Sequence, residues 1–517
     1  MARRFLMFFC LFGTLLTSAS AQTDLATRIN SIVSRPEYKH ASFGIEIYSL
    51  KQKKVLYGLN EDKLFVPGSV TKLVTEGTVL QLLGPDYRFH TRIYRTGPIA
   101  DGVLQGDLVL VATGDPNLSA RVRDDKLLFE NEDHAYGQSL EAKLVPGDPL
   151  QVVHQLAGQV AGRGIKKISG RVLVDVSLFP EGTKEGGSGV VISPIAINDN
   201  VIDVVVTPGK AVGEPAAAQP NISTRYATFR SEVKTGAAGS ESNIDLLPKQ
   251  DSDGNFSVTV AGTIAADSLP RPYPFIVPRP SRFAETVLTE ALQQTGVQVA
   301  DSNSAVADWE VVASSYRAEN QIAEHVSPPL KEDIKVALKV SQNLHASMMP
   351  YLLGALFTKN APDVLDAGFA KEKELLESAK LDVSAAAQSD GAGSGAYFTP
   401  EFIMQFLKYM AAQKDFQTFH DALPILGRDG SLWNIQRDSP AAGKFYAKTG
   451  TYVTGDVLNQ QYFINGKGLA GYLDVPSGDR LIVTIFLNNA HAGDSMKSVL
   501  KIGDALGEVA TAAYNAQ

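Results

Sequence analysis

Strand-like segments stand at both ends of this 517-residue chain, and they can share one sheet only if those ends meet. Near the start, Phe43, Ile45 and Ile47 alternate, Lys51-Gln52-Lys53-Lys54 makes a turn, and Val55-Leu56-Tyr57 follows. Ser42 to Leu59 therefore reads as a hairpin. Toward the end, Lys448 to Ile464 and Leu469 to Leu487 read as strands. A helix closes the chain, with Val499, Ile502, Leu506 and Val509 on its apolar face. Its polar face mixes Lys497, Lys501, Asp504 and Glu508, which suits core packing; a membrane-surface helix would be strongly basic. The simplest packing is one antiparallel sheet, hairpin joined to C-terminal strands, with helices on its faces.

Everything between must then be inserted. The length predicts two to four domains. Strand-like runs at 102–112, 167–176 and 201–208 alternate with Gly/Pro/Ala-rich stretches, of which residues 213–220 are the clearest linker. Phe283 to Gly296 looks helical. The expected fold is mixed α/β (α+β): one domain from residues 22–92 and 321–517, interrupted by β-rich insertion over 93–320.

Residues 1–21 stand apart. Arg3-Arg4, an apolar run from Phe5 to Leu16 and the Ala19-Ser20-Ala21 cleavage pattern read as an export signal, with a mature chain beginning at Gln22. The periplasm or cell-wall space is the expected destination. Cys10, the only cysteine, falls in that segment, so disulfides, thiol nucleophiles and cysteine–metal sites are excluded from the mature chain. Phe8-Phe9 before it lack the small residues of a lipoprotein site. A net charge of −8, more acidic once Arg3 and Arg4 leave, argues against a nucleic-acid partner. Hydrophobic content of 44% and charged content of 20% suit a soluble globular protein, and no second apolar run approaches the ~18 residues of a membrane span.

Three short motifs carry chemistry. S-x-x-K occurs at Ser69–Lys72, Ser231–Lys234 and Ser498–Lys501, where average usage predicts about two matches by chance. K-T-G occurs at 234–236 and 448–450. S-x-N occurs once, at Ser341–Asn343. Order and context choose among them. Pro67-Gly68 ends an extended run, and Val70, Leu73, Val74, Val79 and Leu80 suit a buried helix, so Ser69 and Lys72 share one helical face. Ser231 leads into a turn-like stretch at 235–239, and Ser498 has no S-x-N after it.

A serine hydroxyl needs a base within hydrogen-bond reach. Lys72 can serve if burial and a second cation, Lys448, lower its pKa. Ser341 can relay a proton to a leaving group, and Asn343 can hold a substrate amide. Thr449 and Thr451, with Gly450 between them, offer a strand edge to a terminal carboxylate beside Lys448. Backbone N–H groups of Ser69 and Thr451 would form an oxyanion hole. The bland readings are a back-bonded helical Ser341, in a run from Val336 to Leu353, and a strand hydroxyl for Thr451. The glycine-rich stretch 390–395 follows no strand, so it reads as a loop near the cleft. The eight histidines show no ligand spacing, and no metal or cofactor is expected.

Taken together, Pro67-Gly68-Ser69 to Lys72, Gly114-Asp115-Pro116-Asn117-Leu118, Ser327-Pro328-Pro329-Leu330, Ser341-Gln342-Asn343-Leu344, Asp390-Gly391, Leu423-Pro424 with Gly430, and Lys448-Thr449-Gly450-Thr451 resemble the class C, type-4 low-molecular-mass penicillin-binding proteins. These are the D-alanyl-D-alanine carboxypeptidase/endopeptidases of serine peptidase family S13. The resemblance spans nearly the whole mature chain. It implies a transpeptidase/β-lactamase-like catalytic domain split by insertions, with peptidoglycan stem peptides and β-lactam antibiotics as partners. The family usually has Asp where Gln342 stands. That side chain is assigned no catalytic role, so activity is expected to survive the difference. The usual D-G-S-G-L is here Asp390-Gly391-Ala392-Gly393-Ser394, which shifts the serine.

Two alternatives stand beside a serine DD-peptidase. A class A β-lactamase would need a deacylating glutamate, and no E-x-x-L-N pattern follows Asn343; the acidic run from Glu372 to Glu377 reads as the solvated face of a helix. A non-catalytic peptidoglycan-binding protein would not need the full motif set. The sequence leaves the oligomeric state open, a homo-oligomer included.

Overall fold

The structure, a computed structural model, describes residues 24–136, 142–300 and 307–516. The expected export signal at 1–21, with Cys10, lies outside the described residues. The chain forms two compact units. One comprises the chain as far as Gly84 together with Ala337–Ser341 and Phe369–Gln517. The other comprises Pro85–Val336 and Gln342–Gly368.

In the first unit the ends of the chain do meet. The sheet runs in the order Lys54–Leu59, Ser42–Ser49, Arg480–Asn488, Gln461–Asp474, Phe445–Asp456, every neighbour antiparallel. Ile45 and Ile47, with Leu481, Val483, Ile485 and Leu487, share a core with Val499, Leu506 and Val509 of the closing helix, Met496–Asn515. The alternate residues face the other side. There Phe486 stacks on Phe65, and the Tyr472 hydroxyl donates to the Leu407 carbonyl of helix Pro400–Ala411 at 2.7 Å. Burial on both faces explains why 481–487 is apolar at every position but Thr484, itself buried, with no polar alternation. Helix Pro400–Ala411 starts sharply because Thr399 Oγ1 accepts from the Phe402 amide and Pro400 sits in its first turn.

The hairpin turns fall elsewhere than the sequence runs imply. Residues 465–468, left between those runs, continue the strand Gln461–Asp474, and the chain reverses at 457–460 and 475–479. Glycine there serves close approach. A Cβ on Gly466 would stand 2.3 Å from the Val66 carbonyl oxygen, and one on Gly468 2.8 Å from that of Pro67. The sheet is thus shaved where the segment before Ser69 lies on it.

The second unit is rich in small sheets. One runs Val172–Asp175, Leu108–Val111, His90–Arg95, Gln321–Val326. Helices Gln151–Gly162 and Pro280–Gln294 bury Leu156, Val160, Phe283 and Leu288 in the core that includes Ile93 and Leu110. A separate sheet centres on Phe256–Ala265, with Ala227–Ser231 and Lys234–Gly236 parallel to it. The second Lys-Thr-Gly is therefore a short strand of this unit, its lysine exposed, where the sequence suggested a turn.

Candidate active site

Gly68–Thr71 forms a single 3-10 turn that runs directly into helix Lys72–Leu83. That helix is buried on nearly all sides, as its even apolar distribution requires. Two glycines seat the turn against the strand Phe445–Asp456. Gly68 adopts φ +54°, and a Cβ there would lie 2.6 Å from the Thr451 amide nitrogen. A Cβ on Gly450 would lie 2.0 Å from the Pro67 carbonyl oxygen and 3.1 Å from the Ser69 amide nitrogen. Any larger residue at either place would push Ser69 off the strand.

On this footing Lys72 Nζ donates to Ser69 Oγ at 2.8 Å, to the Ala392 carbonyl at 3.3 Å and more weakly to Ser341 Oγ at 3.5 Å. From the strand, Lys448 Nζ donates to Ser341 Oγ at 2.8 Å and to the Thr449 carbonyl at 2.9 Å. Both lysines are wholly buried. Burial, then the charge of Lys72, hold the Lys448 ammonium well below the usual lysine range. Ser69, Lys72, Ser341 and Lys448 therefore form one continuous hydrogen-bonded chain in which two lysine nitrogens share the hydroxyl of Ser341.

Ser341 corrects the helical reading of Val336 to Leu353. It takes φ +63° between helices Leu330–Lys339 and Asn343–Phe357, a left-handed conformation costly for a residue with a Cβ. Local bonds hold the break. Gln342 caps the following helix, its side-chain oxygen accepting from the Leu344 amide at 2.9 Å. Before the break, buried Lys339 pairs with Asp429 at 2.7 Å. A Cβ on Gly430 would meet the Lys339 carbonyl oxygen at 2.5 Å, so the 429–431 loop packs tightly on this turn. Ser431 from that loop shares a 2.7 Å hydrogen bond with Thr449 Oγ1. Thr451, exposed, accepts from Lys467 Nζ at 3.1 Å. Asn343 opens helix Asn343–Phe357 and is grouped with the second unit.

The 390–395 loop is bound down rather than loose. The Asp390 carboxylate accepts from the amides of Ala392, Gly393 and Ser394, and Thr75 Oγ1 donates to the Gly391 carbonyl. At the position where the family pattern has serine, Ala392 contributes its carbonyl to Lys72. Glu372 departs from the solvated helix face expected of it: it is buried in helix Val364–Ser378, and burial raises its carboxyl to about 8.

Among the described residues, Asp133, His134 and Asp199 of the second unit bring ligand atoms within 4.8 Å of one another, a grouping that spacing does not reveal because Asp199 lies far along the chain from the adjacent pair Asp133-His134. Arg121 already supplies the cation there, at 2.6 Å from Asp133 and 2.9 Å from Asp199, and His134 bonds Asp199 and Asp203 through its two ring nitrogens. Gln342 joins this buried cluster, donating to Asp133 at 3.0 Å, and His345 lies between Asp199 and Asp333 at 2.9 Å from each. The carboxylates of Asp133 and Asp199 are already taken by Arg121 and His134, so the arrangement is a polar core.

The chain matches the D-Ala-D-Ala carboxypeptidase 3 (S13) family over residues 25–508. The chain belongs to that family. Serine-type DD-carboxypeptidase is the S13 activity, and the transpeptidase-like α+β fold that the family resemblance implied is the fold found. S13 relatives include the D-alanyl-D-alanine carboxypeptidase of Actinomadura sp. (strain R39), 26% identical over 93% of this chain and 84% of its own length. D-alanyl-D-alanine carboxypeptidase DacB of Haemophilus influenzae is 22% identical over 93% of each. The crystal structure of penicillin binding protein 4 (dacB) from Haemophilus influenzae superposes with a TM-score of 0.70 at 19% identity, covering 94% of this chain and 98% of that one. The same protein complexed with a β-lactam gives 0.67 at 18% identity, with the same coverage. At such identities the likeness speaks for the fold.

Sequence reasoning on this S13 chain missed Ser431, Lys467 and the Ala392 carbonyl. Ser431 follows Gly430, which the motif set already contains. Lys467 stands between Gly466 and Gly468, in the gap left between the two strand-like runs.

Proposed function

We propose that this S13 enzyme is an exported serine DD-peptidase that cleaves peptidoglycan stem peptides through an acyl-enzyme on Ser69, as D-Ala-D-Ala carboxypeptidase and cross-link endopeptidase. The observation that carries the reading is the hydrogen-bonded series Lys72–Ser69 and Lys448–Ser341, built from two lysines that no water reaches. In its neutral form Lys72 takes the proton of Ser69 Oγ as that oxygen attacks the penultimate D-Ala carbonyl carbon. The oxyanion faces the backbone amides of Ser69 and Thr451, a contribution usually worth about 3 kcal/mol of barrier. Ser341, held by Lys448, passes its proton to the amine nitrogen as the C–N bond breaks and takes in exchange the proton that Lys72 accepted from Ser69. Water then attacks the ester and returns Ser69 to its starting state. Asn343 holds the substrate amide, Gly450 keeps the strand close to Ser69, and Thr449 and Thr451 take the terminal carboxylate.

Export through residues 1–21 puts this activity in the periplasm or cell-wall space, where the substrate is. No helix among the described residues is long and apolar enough to cross a membrane. A β-lactam presents its own acylating carbonyl and carboxylate to the same groups. Benzylpenicillin should therefore give a lasting adduct by intact-protein mass spectrometry, lost in Ser69→Ala. Rapid turnover with no adduct would favour a β-lactamase and sink the proposal.

A further inference from the structure

Lys467 is a buried cation that the reaction scheme above does not use. It lies directly opposite Thr451 across the strand pair Phe445–Asp456 and Gln461–Asp474. Only 7% of it is exposed, while Thr451 in front of it is open to solvent. Its Nζ donates to Thr451 Oγ1 at 3.1 Å, and among the described residues no carboxylate forms an ion pair with it. Asp504 lends only longer-range attraction. Burial lowers the ammonium to about 8, with Asp504 opposing, so it remains mostly charged at neutral pH. Room for Nζ comes from the closing helix. Gly503 lies inside Met496–Asn515, and a Cβ there would approach Nζ to 3.2 Å. Glycine is unfavourable in a helix interior, so space around this nitrogen is a plausible reason for its presence.

A buried ammonium without a carboxylate partner is costly in a resting protein. The arrangement becomes favourable when an anion arrives at the hydroxyl in front of it. Because Thr451 Oγ1 accepts from Lys467, its own proton is free to be donated outward. Resting on the DD-peptidase reading, we propose that Lys467 is a positioning residue for specificity: it fixes the Thr451 hydroxyl as a donor and places a second positive charge behind the site of the substrate's terminal carboxylate. Lys448 would serve the proton chain at Ser341, and Lys467 would serve recognition. The division follows from which hydroxyl each ammonium touches.

The test compares an acyl-D-Ala-D-Ala peptide with its C-terminal amide, using the full-length enzyme. Wild type should prefer the free acid. In Lys467→Met that preference, the ratio of kcat/KM values, should fall about tenfold, mainly through KM for the free acid. Lys467→Arg, which keeps the charge, should retain most of it. Thr451→Val provides a second variant, at an exposed position, and should lose the same preference. An unchanged ratio in folded Lys467→Met, or equal loss toward both peptides, overturns the role of Lys467 while leaving the DD-peptidase reading intact. A wild type that cleaves neither peptide and takes no penicillin overturns the reading beneath it, and this inference with it.

Discussion

Two buried lysine side chains meet at the hydroxyl of Ser341, where a charge on either is poorly screened from the other. Removing one changes the proton affinity of the other, because each is a like charge in a poorly screened place. Lys448→Ala should therefore lower the penicillin acylation rate by about a hundredfold or more, through loss of the Ser341 contact and of charge beside the oxyanion. Lys234→Ala, at the duplicate Lys-Thr-Gly, removes an exposed side chain from a small sheet of the second unit and should leave the rate unaltered. Labelling with a fluorescent penicillin measures both, and equal losses would refute the assignment of the pair. Residue type and order were enough to separate these copies. They could not supply Ser431 or Lys467, whose importance depends on which strand or loop brings them beside Thr449 and Thr451.

At the level of elements, the break between helices Leu330–Lys339 and Asn343–Phe357 is what presents Ser341. The apolar pattern runs through it without interruption, so periodicity alone predicts one helix. What ends the first helix is a left-handed serine, followed by Gln342, which caps the second and donates to Asp133. The family usually has Asp at that position, and the sequence reading treated the difference as harmless because the side chain is not catalytic. Its surroundings give it a structural task instead. Gln342→Glu would set a third carboxylate against Asp133 and Asp199 in a dry core, costing about 3–5 kcal/mol. Denaturant unfolding should show that loss; a change below about 1 kcal/mol would mean that the contact does not hold the turn. The sheet was easier to read, since the alternating segment near the start and the apolar strands near the end leave few other partners.

For the whole molecule, the buried polar core of the second unit makes stability depend on pH. Burial disfavours charge on His345, but the hydrogen bonds it donates to Asp199 and Asp333 outweigh it and raise the imidazole to about 9. A folded pKa above the unfolded value of about 6.5 gives stabilisation that is complete below 6.5 and lost as pH climbs through 9, on the order of 3 kcal/mol. Asp115, raised by burial to about 7, acts in the same direction: the folded state favours its protonated form, and that advantage disappears between about pH 4 and 7. The unfolding midpoint should thus fall steadily from pH 6.5 to 9, and His345→Gln should flatten part of that slope. A midpoint that rises across this window would contradict the charged pairing. The strand order of the first unit has a different consequence, one of timing. Ser69 and Lys72 leave the ribosome early, yet Ser42–Ser49 has its inner neighbour in Arg480–Asn488, and the strand bearing Lys448 comes only shortly before. A chain interrupted anywhere in the long middle carries Ser69 and Lys72 but lacks the strands on which they are seated. Synthesis order alone leaves this pair without its sheet until Arg480–Asn488 is made.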